Sequence, residues 1–120
     1  MTRTQLALAS TAALGLAAAS PALAGQAGGN VLQATDGPGF TITLTQGGKQ
    51  VTSLRAGAYT IQVADRSNIH NFHLTGPGVD QKTDVGKVYS ATWKVTLKKG
   101  TYTYVCDPHA AAMKGGFTVG

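Results

Sequence analysis

The sequence predicts an all-β fold, a β-sandwich or small barrel built from about seven short strands. Three observations predict it. Apolar and polar residues alternate with a period of two in several runs, clearest at 40–45, 58–63, 88–97 and 101–106. Turn signals rich in Gly, Pro, Asn and Asp separate these runs. No sustained helical period of 3.6 follows residue 24.

Residues 1–24 stand apart from that pattern. One basic residue, Arg3, precedes an uncharged apolar run over 6–19, shorter than the roughly 20 residues of a membrane-spanning helix. Ser20-Pro21 breaks the run, and Ala22-Leu23-Ala24 offers an A-x-A cleavage site. These features predict a secretory signal peptide over 1–24. Without an Arg pair, the general secretory route is expected. The domain then covers 25–120, and the expected location is periplasmic or secreted. No later segment is apolar enough to span a membrane.

The elements follow in order. Residues 26–30 are Gly-rich and read as a frayed start. In the run 40–45, Phe40, Ile42 and Leu44 share one face, and Gln46-Gly47-Gly48-Lys49 reads as a turn. A short segment, 51–54, is expected to pair nearby. Tyr59, Ile61 and Val63 share a face of the next strand, and 64–68 is a loop. A strand is expected over 69–75, closed by Gly76-Pro77-Gly78. The polar stretch 79–86 reads as a surface excursion. Trp93, Val95 and Leu97 lie together on the run 88–97, and Tyr102, Tyr104 and Cys106 on the run 101–106. Residues 114–116 are expected to turn the chain into a last short strand, 117–119.

Composition narrows the function. The chain of 120 residues carries ten Lys and Arg against five acidic residues, a net charge of +5. Every acidic residue is Asp, so hard-cation sites of clustered carboxylates are not supported. The lysines are dispersed, which argues against nucleic-acid binding. A small exported domain often relies on disulfides, yet this one has a single cysteine, Cys106. A lone thiol in an oxidising compartment must be buried or bound.

The chemistry-bearing residues fall in two places. One is Ile69-His70-Asn71-Phe72-His73-Leu74; the other runs from Cys106 through Asp107, Pro108 and His109 to Met113. A thiolate, two imidazoles and a weak thioether form the donor set of a blue copper centre. Structural zinc usually takes four strong ligands and has little use for Met. Cys106 ends a strand, Pro108 stiffens the turn by fixing φ, and three alanines lead on to Met113. Positions 70 and 73 of a strand face opposite sides, so one ion takes His70 or His73 and not both.

His70-Asn71 and the C-terminal Tyr102-x-Tyr104-x-Cys106-x-Pro108-His109…Met113-x-Gly115 resemble the cupredoxins of the plastocyanin, pseudoazurin and amicyanin type. The resemblance extends over most of residues 25–120 and implies a cupredoxin-like Greek-key β-sandwich of seven to eight strands. It implies one type 1 copper ion with His70, Cys106 and His109 as strong ligands and Met113 as the weak axial one. His73 is then a surface or supporting residue. Asn71 is implied to tie the His70 segment to the Cys106 loop, with Asp107 in the same network. The His109-to-Met113 gap is three residues, against two in amicyanins and four in plastocyanins.

The function implied is electron carriage between redox proteins, acidic ones among them, that dock near His109. Ala110, Ala111 and Ala112 are expected to form an apolar rim there. The expected protein is monomeric, without a nucleic-acid partner, and not an enzyme, since no bond in a substrate is made. The alternative is a copper-binding module for storage, delivery or resistance. Multicopper oxidases and copper nitrite reductases need more histidines than the three present.

Overall fold

The computed structural model describes residues 30–120. The expected signal peptide, 1–24, and residues 25–29 lie outside them. The described chain forms ten strands: β1 (Val31–Asp36), β2 (Ile42–Gln46), β3 (Lys49–Gln50), β4 (Ser53–Leu54), β5 (Gly57–Asp65), β6 (His73–Gly76), β7 (Val79–Lys82), β8 (Tyr89–Leu97), β9 (Gly100–Val105) and β10 (Lys114–Val119). A single 3₁₀ turn covers Asp107–His109. Among the described residues there is no α-helix.

The strands make two five-stranded sheets, ordered β3-β2-β1-β5-β8 and β4-β10-β9-β6-β7. Alternation explains the core between them. On β5, Tyr59, Ile61 and Val63 are buried; on β9, Tyr102 and Tyr104 are. Leu32, Leu44 and Leu97 join from the first sheet, and Leu74, Phe117 and Val119 from the second, in one apolar cluster. Trp93 packs against its edge, partly buried. All-β sandwich architecture is therefore what the alternation foretold, and the eight strands of four or more residues match the expected number.

Register fixes where the loops gather. β1 and β5 run parallel and end together, Asp36 beside Asp65. The antiparallel β8 begins opposite Asp65, at Tyr89. In the second sheet His73 at the start of β6 pairs with Val105 at the end of β9, and Lys114 at the start of β10 pairs with the same Val105. The loops 37–41, 66–72, 83–88 and 106–113 thus each leave or enter at these strand ends.

Four expectations change. The strand expected over 69–75 begins only at His73; just before it the ladder is broken on one side, where Phe72 N–H donates to the Thr83 hydroxyl (2.9 Å) while the Phe72 carbonyl still accepts from Thr83 N–H (3.0 Å). The stretch 79–86 is not all surface excursion, since Val79–Lys82 forms edge strand β7 against β6. Segment 51–54 pairs nearby only at Val51, whose N–H donates to the Leu44 carbonyl (3.0 Å), while Ser53 and Leu54 pair in parallel with β10 at the far end of the chain. Gly115 and Gly116 do not turn the chain; they lie inside β10, opposite Tyr104 and Thr103.

Candidate metal centre

His70 comes from the irregular loop after β5 and is fully buried. Cys106 sits one residue past β9, also fully buried, so its thiol is shielded from oxidants. The 3₁₀ turn brings His109 back to it, with His109 N–H donating to the Cys106 carbonyl (2.9 Å). Met113 is buried, and the loop closes where Cys106 N–H donates to the Met113 carbonyl (3.0 Å). Pro108 occupies the first helical turn, where a missing N–H costs nothing.

Three donor atoms converge. His70 Nδ1 and His109 Nδ1 are 3.1 Å apart; the Cys106 Sγ lies 3.6 Å from the first and 3.5 Å from the second. A triangle with those sides has its centre about 2 Å from each corner, the bonding range of imidazole nitrogen on a first-row metal ion. Two imidazole lone pairs and a sulfur aimed at one point repel each other unless a proton or a cation lies between them. His70, Cys106 and His109 form the group of donors that can hold a metal ion among the described residues. His73 is not part of it.

A hydrogen-bonded clamp surrounds the cysteine. Asp107 N–H donates to Asn71 Oδ1 (2.7 Å), and Asn71 Nδ2 donates back to Asp107 Oδ2 (2.8 Å) and to the Thr83 carbonyl (3.3 Å). Asn71 is itself buried. His73 Nδ1 meets the Asp107 carboxylate at 2.9 and 3.1 Å, while its Nε2 meets Asp80 Oδ1 at 2.7 Å. Both ring nitrogens face carboxylates, which only the doubly protonated ring satisfies. Burial acts to lower the His73 pKa, but the hydrogen bonds and charges of Asp107 and Asp80 outweigh it and the net shift is upward. Burial acts upward on Asp107; hydrogen bonds from His73 and Asn71, with the charges of His73 and Lys82, outweigh it and hold the carboxyl below its ordinary value.

Residues 40–120 match the sequence model of the copper-binding proteins of the plastocyanin/azurin family. The chain belongs to that family. Solved structures agree on the cupredoxin fold. A Met-to-Gln variant of rusticyanin is 21% identical, covering 75% of this chain and 76% of its own at a TM-score of 0.55. Reduced rusticyanin is 20% identical over 75% and 78% of the two chains, with a TM-score of 0.54. Dithionite-reduced auracyanin from Roseiflexus castenholzii is 19% identical over 76% of this chain and 97% of its own, with a TM-score of 0.54. Among curated proteins no sequence match is found.

The donor set of this cupredoxin fits copper. It pairs borderline imidazoles with a soft thiolate, and among the described residues the group has no fourth strong ligand of the kind structural zinc favours. Sequence reasoning missed one residue at the centre. Phe40, expected on the inward face of a strand, lies outside β2 and is 60% exposed. Its ring stands 5.0 Å from both the His70 and the His109 rings. No periodicity could have revealed that, because the loop 37–41 sets its position.

Proposed function

We propose that this cupredoxin is an exported electron carrier in which His70, Cys106 and His109 would hold a copper ion, with Met113 as a weak fourth donor. The observation that carries the reading is the triangle of two Nδ1 atoms and one Sγ. Copper bound there supplies a one-electron couple. The protein's part is to keep the site still. Buried Cys106 and His70 exclude water from two corners. The Asn71–Asp107 clamp holds the cysteine loop to the histidine loop, and a donor set that does not rearrange keeps the structural change between oxidation states small. His109 is the partly exposed corner, and Ala110, Ala111 and Ala112 beside it are exposed. A redox partner that covers this rim brings its own centre close to His109, and the excess of basic over acidic residues favours acidic ones. The proposed role is carriage of single electrons, in which no substrate bond is made or broken.

The test is optical and magnetic. Copper-loaded oxidised protein is expected to be intensely blue or green, with an unusually small copper hyperfine splitting in its EPR spectrum. Cys106→Ser is expected to lose the colour entirely. A colourless wild type, or an ordinary tetragonal copper spectrum, overturns the reading. Reversible one-electron voltammetry with fast self-exchange separates a carrier from a storage or delivery module, which would instead hand copper to an acceptor protein.

A further inference from the structure

A metal-bound imidazole is normally held in orientation by a hydrogen bond on its other ring nitrogen. His70 lacks one. Its Nε2 is buried and has no hydrogen-bond partner. Something else must fix the ring, and the loop 37–41 is where it is found. Gly37 has φ +71°, and a Cβ there would meet Ser67 Cβ at 2.9 Å and His70 Cδ2 at 3.3 Å. Glycine at that position lets the loop close directly onto the imidazole. Gly37 N–H donates to the Thr41 carbonyl (2.9 Å), which folds the loop back on itself. Phe40 is carried on this fold.

The three rings then brace one another. Phe40 and His70 cross at 71°, Phe40 and His109 at 88°, and His70 and His109 at 77°, with centroids 5.0, 5.0 and 4.8 Å apart. Each pair is edge-to-face, the geometry favoured by the quadrupoles of aromatic rings. A phenyl ring left 60% exposed gains little from burial; what it has is contact with two imidazoles at once.

We propose that Phe40 is a positioning residue of the copper centre, its ring doing for His70 and His109 what a hydrogen bond does for other ligating histidines. The proposal rests on the ligand assignment made above. Rotation of either imidazole moves its Nδ1 lone pair off the shared point, and Phe40 blocks that rotation from the solvent side. It also covers part of both rings against water.

The experiment has two arms. In the copper-free protein, NMR of the histidine ring protons reads the geometry with no metal involved. Phe40→Ala is expected to remove the ring-current shifts at His70 and His109, while Phe40→Tyr keeps them. In the copper-loaded protein, Phe40→Ala is expected to lose copper to a chelator roughly tenfold faster, the lower range for loss of a group supporting a metal ligand. Its EPR spectrum should change as well, and Phe40→Tyr should restore both. Copper release and EPR unchanged in Phe40→Ala overturn the proposal, as do unchanged histidine resonances in the copper-free variant. Failure of the ligand assignment looks different: the wild type itself then forms no blue centre, and the copper-free spectra alone decide whether Phe40 holds the two rings.

Discussion

Asp36 and Asp65 end β1 and β5 side by side, both buried. As plain acceptors, three of their four carboxylate oxygens find no donor; a proton on one supplies it. Burial first, then the hydrogen bond and charge of Asp65, raise the Asp36 pKa from its ordinary 3.8 to about 8. Between those two values the folded chain holds more protons than the unfolded one, so stability falls as pH rises from 3.8 to about 8 and levels off above. Asp36→Asn keeps the shape and a donor but not the titration. Its melting midpoint is expected to exceed that of the wild type at pH 8, with the gap closing towards pH 4. Each 1 kcal/mol gained moves the midpoint by roughly 4–8 °C in a domain of this size. A constant gap across that range would sink the assignment. At this scale the sequence was legible where chemistry is rare: one thiol, three histidines and one thioether beyond residue 1 drew attention to themselves. It was silent on Phe40 and on Asp36, common residue types whose setting comes from partners distant in the chain.

Most strands with one face buried and the other wet were legible, although β1, which alternates too, was not read. β5 and β9 alternate cleanly, and both were read from the pattern alone. β7 was not, because an edge strand with one buried residue in four carries no period. The glycines of β10 misled for a different reason. Turn chemistry and close packing both call for glycine, and only the fold distinguishes them. A Cβ on Gly115 would run into the Tyr104 ring, which lies across it from the paired position on β9. Gly115→Ala is therefore expected to destabilise the protein by about 1–3 kcal/mol, the usual range for overpacking a core. Gly39→Ala, with open space around the added methyl, is the matched control. Thermal melts in parallel decide it; equal midpoints would remove the packing explanation.

Across the whole molecule, two sheets hold the two loops of the proposed metal site at one end, His70 after the first sheet's β5 and Cys106 after the second sheet's β9. A metal ion bridging them ties the sheets together, and anything that binds only the folded state stabilises it by mass action. Copper at a thousandfold excess over its Kd adds about 4 kcal/mol. The melting midpoint is then expected to rise by roughly 15 °C or more, at the usual conversion for small domains. Differential scanning calorimetry of the copper-free and copper-loaded forms reads this directly, and coincident transitions would contradict a site that joins the sheets.

The bond from Cys106 N–H to the Met113 carbonyl has a further meaning. It seals the segment between them into a ring whose two ends are pinned to adjacent strands. The alanines inside that ring are exposed and hold up nothing in the sandwich. A lineage that gains or loses a residue there alters the path to the methionine and leaves the β9–β10 register untouched. The length of this ring and the foldability of the sandwich are thereby written in separate parts of the chain, and selection can act on the first without endangering the second.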